Sequence, residues 1–283
     1  MQTVRRLPTT GMAGTVVLLA ALWATQGLGP GGWVVGLSSG LLVTMVVGVA
    51  LKRAGSDGAG PADLVTLTRA VLTCAVAALA ADSLLHHLVT SWLVPLTVVA
   101  LVLDAVDGWV ARRTGTCSAF GGRFDGEVDA FLILVLSAYV APSFGAWILT
   151  AGLVRYVFGA AGWVLPWMRG RLGYRYWRKV VTAVQGIVLV FAAADVAPRW
   201  LAVSGLVVGL VLLAESFGRD VVWLWNRRGV EAVGGVPVGS TSGPTVGPTV
   251  EATIAACVEA SVGAGVGTAV GAPVLPRPRV EEV

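Results

Sequence analysis

The sequence predicts an all-α integral membrane protein, and three observations carry that prediction. The 283 residues are 56% hydrophobic and only 13% charged, with a mean hydropathy of +0.80. A water-soluble domain has too little interior to hide so much apolar surface. Apolar segments recur that approach or exceed the roughly 20 residues a helix needs to cross a bilayer. Lys and Arg, finally, gather in alternate connections: Arg5 and Arg6, Lys52 and Arg53, Arg112, Arg113 and Arg123, the run from Arg169 to Lys179, and Arg219 to Arg228. The connections between them hold one basic residue, Arg199. By the positive-inside rule both termini face the cytoplasm, which implies a multi-pass protein of the cell membrane. The same asymmetry, with affinity for anionic headgroups, accounts for the net charge of +4 and the pI near 9.3, so no nucleic-acid partner is needed.

About eight crossings are expected, near residues 12–28, 33–51, 64–82, 91–110, 124–141, 145–167, 180–197 and 200–217. The first two, joined by the turn from Gly27 to Gly32, read as a transmembrane hairpin (residues 1–55). A cleaved secretory signal is disfavoured because a second apolar run follows at once. A Gly-rich linker, Ala54 to Pro61, leads to the main body, residues 56–228. Its first segment opens PADLVTLTRAVL and carries Thr66 and Arg69. Arg69 either snorkels to the cytoplasmic surface or contacts a substrate phosphate. His86 and His87, adjacent and therefore on different faces, belong to a loop at the far end.

The segment from Ala146 holds Arg155 midway through an apolar run. A cation at that depth costs several kcal/mol unless paired or solvated, so Arg155 either lines a pocket or pairs with a neighbouring helix. Trp163, Pro166 and Trp167 suit interface anchoring. The loop RGRLGYRYWRK interleaves aromatic and basic residues, and between two membrane segments it suits headgroup or phosphate contact, with Arg175, Arg178 and Lys179 as candidates. Glu215 is expected to pair with Arg219. Residues 229–283 carry the repeat GPTVGPTV and little large apolar surface, the composition of a disordered cytoplasmic tail. Cys74, Cys117 and Cys257 lack any CxxC spacing, so neither a disulfide framework nor a metal knuckle is indicated.

The stretch from Asp104 to Asp129 concentrates the chemistry. On helices, Asp104 and Asp107 share one face and Asp125 and Asp129 another. Two such helices face to face would bring four carboxylates together, an arrangement that makes sense mainly with cations between them. All-oxygen ligands suit Mg²⁺ or Mn²⁺ rather than Zn²⁺. Paired hard cations are a known device for displacement at phosphorus. Gly108 and Ala111 remove bulk beside the first pair, so that a nucleotide can approach the helix.

The eight positions Asp104, Asp107, Gly108, Ala111, Arg112, Gly121, Asp125 and Asp129 resemble the signature of the CDP-alcohol phosphatidyltransferase family at every position. The resemblance implies a six-helix membrane core, so that the N-terminal hairpin is an addition. It implies a homodimer that moves the phospho-alcohol group of a CDP-alcohol, typically CDP-diacylglycerol, to an acceptor hydroxyl with release of CMP. It further implies two divalent ions on Asp104, Asp107 and Asp125, with Asp129 as general base and possible fourth ligand. Gly108, Ala111, Arg112 and Gly121 would line the CDP pocket, with Thr66 and Arg69 as further CDP-binding candidates. Thr66 and Arg69 match a Thr and Arg spaced likewise in the family, and Lys179, Thr182 and Gln185 match a looser pattern. Arg155, Arg175, Arg178 and Lys179 are the candidates for holding a phosphorylated acceptor. Two other readings compete: a cation transporter using the acids as its ion site, and a subunit that binds CDP-lipid without turning it over.

Overall fold

The computed structural model describes residues 2–54, 61–86, 91–114, 119–165 and 176–233. Among them are eight α-helices and no strand: α1 (Gln2–Gln26), α2 (Pro30–Ala54), α3 (Pro61–His86), α4 (Leu93–Thr114), α5 (Ala119–Phe144), α6 (Leu149–Val164), α7 (Tyr176–Ala194) and α8 (Arg199–Val233). A single 3-10 turn, Ala146–Ile148, precedes α6. Backbone groups in hydrocarbon must be satisfied within the segment, and helices do this. Six helices are long and apolar enough to cross a membrane: α2, α3, α4, α5, α7 and α8. The apolar stretch of α6 with its preceding turn, Ala146–Gly162, is shorter, and α1 is not among the six over its described residues.

The helix ends follow local chemistry. Gly27 adopts φ 71° where α1 turns toward α2, a conformation that costs glycine nothing. Pro30 and Pro61 open α2 and α3, since a first-turn residue needs no N–H. Asp195 takes the left-handed region at φ 50° between α7 and α8. The carbonyl of Pro198 then receives the N–H groups of Leu201 and Ala202 at 2.9 and 3.2 Å. Several helices run past their apolar segments, α1 and α8 furthest. α1 begins at Gln2, and α8 runs on to Val233 instead of ending near residue 217. Hydropathy measures the apolar run, whereas the helix continues wherever side chains support it; the Glu215–Arg219 pair, one turn apart, does so in α8.

α3 is the centre of the packing. Two thirds of its membrane span (67%) is buried, against 22% for α4. Its run Ala75, Val76, Ala77, Ala78, Leu79 and Ala80 is buried throughout, because small side chains let neighbouring backbones approach closely. The α1–α2 hairpin packs on α3, as do α4 and α5; α7 lies against α4, α5 and α8, and α6 against α5 and α8. At Gly152 of α6 any side chain would meet the Cα of Leu134 at 2.5 Å, so α5 and α6 pack backbone to backbone there. Helices alternate in direction. The start of α3, the end of α4, the starts of α5 and α7 and the later part of α8 therefore meet at one end of the bundle.

Of the disordered tail expected over residues 229–283, residues 229–233 instead prolong α8 and residues 234–283 lie outside the described residues, as do residues 55–60 of the Gly-rich linker. So do Cys117, Cys257, His87, Pro166 and Trp167, and the side chains of His86 and Trp163.

Candidate active site

Each acidic pair comes from one helix face, and α3 supplies the group that joins the two pairs. Asp104 and Asp107 lie on α4, Asp125 and Asp129 on α5, and the guanidinium of Arg69 on α3 reaches all four. Its Nη1 bonds Asp104 Oδ1, and Asp107 Oδ2 at 2.9 Å; its Nη2 bonds Asp129 Oδ1 at 2.8 Å and the backbone carbonyl of Asp125 at 3.2 Å. Asp125 Oδ1 also lies 2.7 Å from Nη2. Thr66, one turn before Arg69, donates to Asp107 Oδ2 at 3.3 Å. Arg69 is 1% exposed, which rules out snorkelling to the surface. The guanidinium is a planar fork with five donors, suited to holding several carboxylates in one plane.

The cluster meets the requirements of a hard cation. Asp104, Asp107 and Asp125 each offer a carboxylate oxygen, all within 4.8 Å of one another. Asp125 Oδ1 has no hydrogen-bond partner among the described residues, despite its nearness to Arg69. Lys179 of α7 adds a second cation, 3.7 Å from Asp125 Oδ2. Four carboxylates against one guanidinium and one ammonium leave a formal excess of two negative charges, and an oxygen-only donor set with that excess suits a divalent metal ion. Asp104, Asp107 and Asp125 are the residues that could hold one.

A cavity of about 300 Å³ opens from these acids into the bundle between α4, α5, α6, α7 and α8. Its lining includes the acids Asp104, Asp125 and Asp129 and the basic residues Arg155, Arg178 and Lys179. Arg155 lines the cavity, and its Nη2 bonds Glu127 Oε1 on α5 at 2.6 Å. A side chain at Gly126 would touch that guanidinium, at 3.4 Å. Arg178 Nη1 donates to Asp220 Oδ2 on α8 at 3.4 Å. Thr182 also lines the cavity, whereas Gln185 is fully buried beyond it. The apolar inner wall includes Leu101, Leu132, Ile133 and Leu213.

Most of the site residues named from sequence therefore converge. Gly108 follows Asp107 in α4, and Gly121 lies in the first turn of α5. Ala111 and Arg112 continue α4, but their side chains, and all of Arg175, lie outside the described residues. Sequence reasoning missed Glu127 and Asp220. Glu127 stands between Asp125 and Asp129 and off their shared face, a signal that it addresses another helix. Asp220 is an isolated acid before the apolar run VVWLW, and the underestimated length of α8 concealed it.

No curated protein and no solved structure matches the chain. A sequence profile described as CDP-alcohol phosphatidyltransferase matches residues 61–212, from the first residue of α3 into α8. That match covers more than half of the chain and contains all four clustered acids together with Arg69 and Lys179. The chain thus belongs to the CDP-alcohol phosphatidyltransferase family, membrane-embedded transferases that use a CDP-alcohol and an alcohol acceptor in phospholipid synthesis.

Proposed function

We propose that this protein transfers the phosphatidyl group of CDP-diacylglycerol to the hydroxyl of a phosphorylated polyol, releasing CMP, with two Mg²⁺ or Mn²⁺ ions per site. The observation that carries this reading is that one cavity is lined both by Asp104, Asp125 and Asp129 and by Arg155, Arg178 and Lys179. It offers cation ligands for a diphosphate beside basic groups for a second, anionic substrate. Asp104, Asp107 and Asp125 would hold the ions, with Asp129 as a possible fourth ligand. Divalent ions held by these acids would supply charge neutralisation for the diphosphate and for CMP as it leaves. Gly108, Ala111, Arg112 and Gly121 line the CDP pocket, and Thr66 and Arg69 serve it through the acids they hold.

Asp129 acts as general base. Its carboxylate takes the proton of the acceptor hydroxyl, the freed oxygen attacks the β-phosphorus, and the bond from that phosphorus to the CMP oxygen breaks. Arg69 keeps one Asp129 oxygen occupied at 2.8 Å, which orients the carboxylate. Arg155, Arg178 and Lys179, with Arg175, bind the acceptor phosphate. The reading extends to a homodimer in the cell membrane, on the strength of the family alone. Its active site and both termini face the cytoplasm, as the Lys and Arg distribution supports. The chain then divides into a hairpin (1–55), the catalytic core (56–228) and a tail (229–283).

The test is CMP release from CDP-diacylglycerol with a panel of phosphorylated and unphosphorylated acceptors. Release is expected with Mg²⁺ and a phosphorylated polyol, lost on chelation and restored by the metal. CDP binding without CMP release would identify a non-catalytic subunit. Nucleotide-independent cation flux would identify a transporter.

A further inference from the structure

One acid at the same end of the bundle takes no part in the chemistry above. Asp220 of α8 is 4% exposed and lies past residue 212, where the family match ends. A buried carboxylate is costly unless paired, and its partner is Arg178 Nη1, 3.4 Å away. Arg178 lines the cavity, yet a third of its side chain (32%) is exposed, so packing alone does not fix where its guanidinium lies. The neighbouring turn of α8 repeats the contact: Glu215 accepts from Trp177 Nε1 at 2.9 Å and pairs with Arg219. Two successive turns of α8 thus clasp the start of α7.

We infer that Asp220 is a positioning residue for the transfer reaction, holding the Arg178 guanidinium at the cavity wall where it meets the phosphate of an anionic acceptor. The inference rests on the proposed acceptor site. Its energetic basis is pre-organisation: a long cationic side chain already held in place loses less freedom when the anion arrives. The sign of the effect separates this role from simple electrostatics. Removing a negative charge near the cavity, by itself, strengthens anion binding; releasing Arg178 weakens it.

The experiment titrates the full-length protein in detergent with inorganic phosphate and then measures turnover. Asp220→Asn is expected to weaken phosphate binding about tenfold, with Asp220→Glu within about threefold of the parent. Glu215→Gln, which removes an acid from the same seam, should leave binding unchanged. In turnover, KM for a phosphorylated acceptor should rise in Asp220→Asn while KM for CDP-diacylglycerol holds. Should the amide variant not fold, Asp220→Ser gives the same reading. Unchanged or tighter phosphate binding, or equal rises in both KM values, overturns the inference. Phosphate binding without CMP release by the parent protein refutes the proposed reaction, while the binding comparison still decides the role of Asp220. A parent protein that binds no phosphate removes both.

Discussion

The two ends of the bundle use the same residue types in opposite ways. At one end Arg69 meets four carboxylates, and Lys179 stands beside one of them. At the other, charged side chains serve the backbone. Asp82 accepts the N–H of Gly29 at 3.1 Å, tying the hairpin turn to α3. Arg199 donates to the carbonyl of Ser143 at 3.0 Å and lies over the Phe144 ring, tying α8 to the end of α5. A charge spent on one backbone group closes a connection; charges accumulated against one another leave an excess that a ligand must balance. The difference locates chemistry at the first end and assembly at the second.

Substitutions can break or sharpen that contrast. The largest effect belongs to Arg69→Ala, which leaves four clustered carboxylates with Lys179 as their only basic partner among the contacts described. A loss of about 3–5 kcal/mol is expected, read as collapse of thermal stability, with partial recovery in millimolar Mg²⁺. Recovery with Na⁺ alone would remove the case for a divalent site. Asp129→Asn should fold and bind CDP yet lose CMP release by about 10²- to 10⁴-fold; near-normal turnover would reassign the base.

Arg155→Gln comes next, with KM for a phosphorylated acceptor raised about tenfold at constant KM for the CDP-lipid. An equal effect with an unphosphorylated acceptor would make Arg155 a partner of Glu127 and nothing more. Asp82→Ala, at the opposite end, is expected to cost about 1–2 kcal/mol of stability and leave turnover per folded molecule within about twofold. A large drop in turnover there would erase the division between the ends.

Much of this was legible in the sequence because membranes impose simple rules. Apolar length found the helices, and the fixed spacing of Asp104, Asp107, Asp125 and Asp129 found the acids, since spacing on a helix is geometry. The partner of those acids was not legible. Nothing in TLTRAVL states that Arg69 faces inward, because that depends on α3 being surrounded by α1, α2, α4 and α5. The site needs a cation at its centre, as the acids alone imply; the chain supplies one itself. Helix ends were hardest to read where polar residues prolong a helix beyond its apolar run, and Asp220 was hidden for that reason.

Arg69 also bears on how such a protein is made. Synthesis delivers α3 before α4 and α5, so the guanidinium is waiting in the membrane when the acidic helices emerge from the ribosome. Each arriving carboxylate finds a counter-charge already installed. The bundle can therefore close during insertion around a counter-charge of its own.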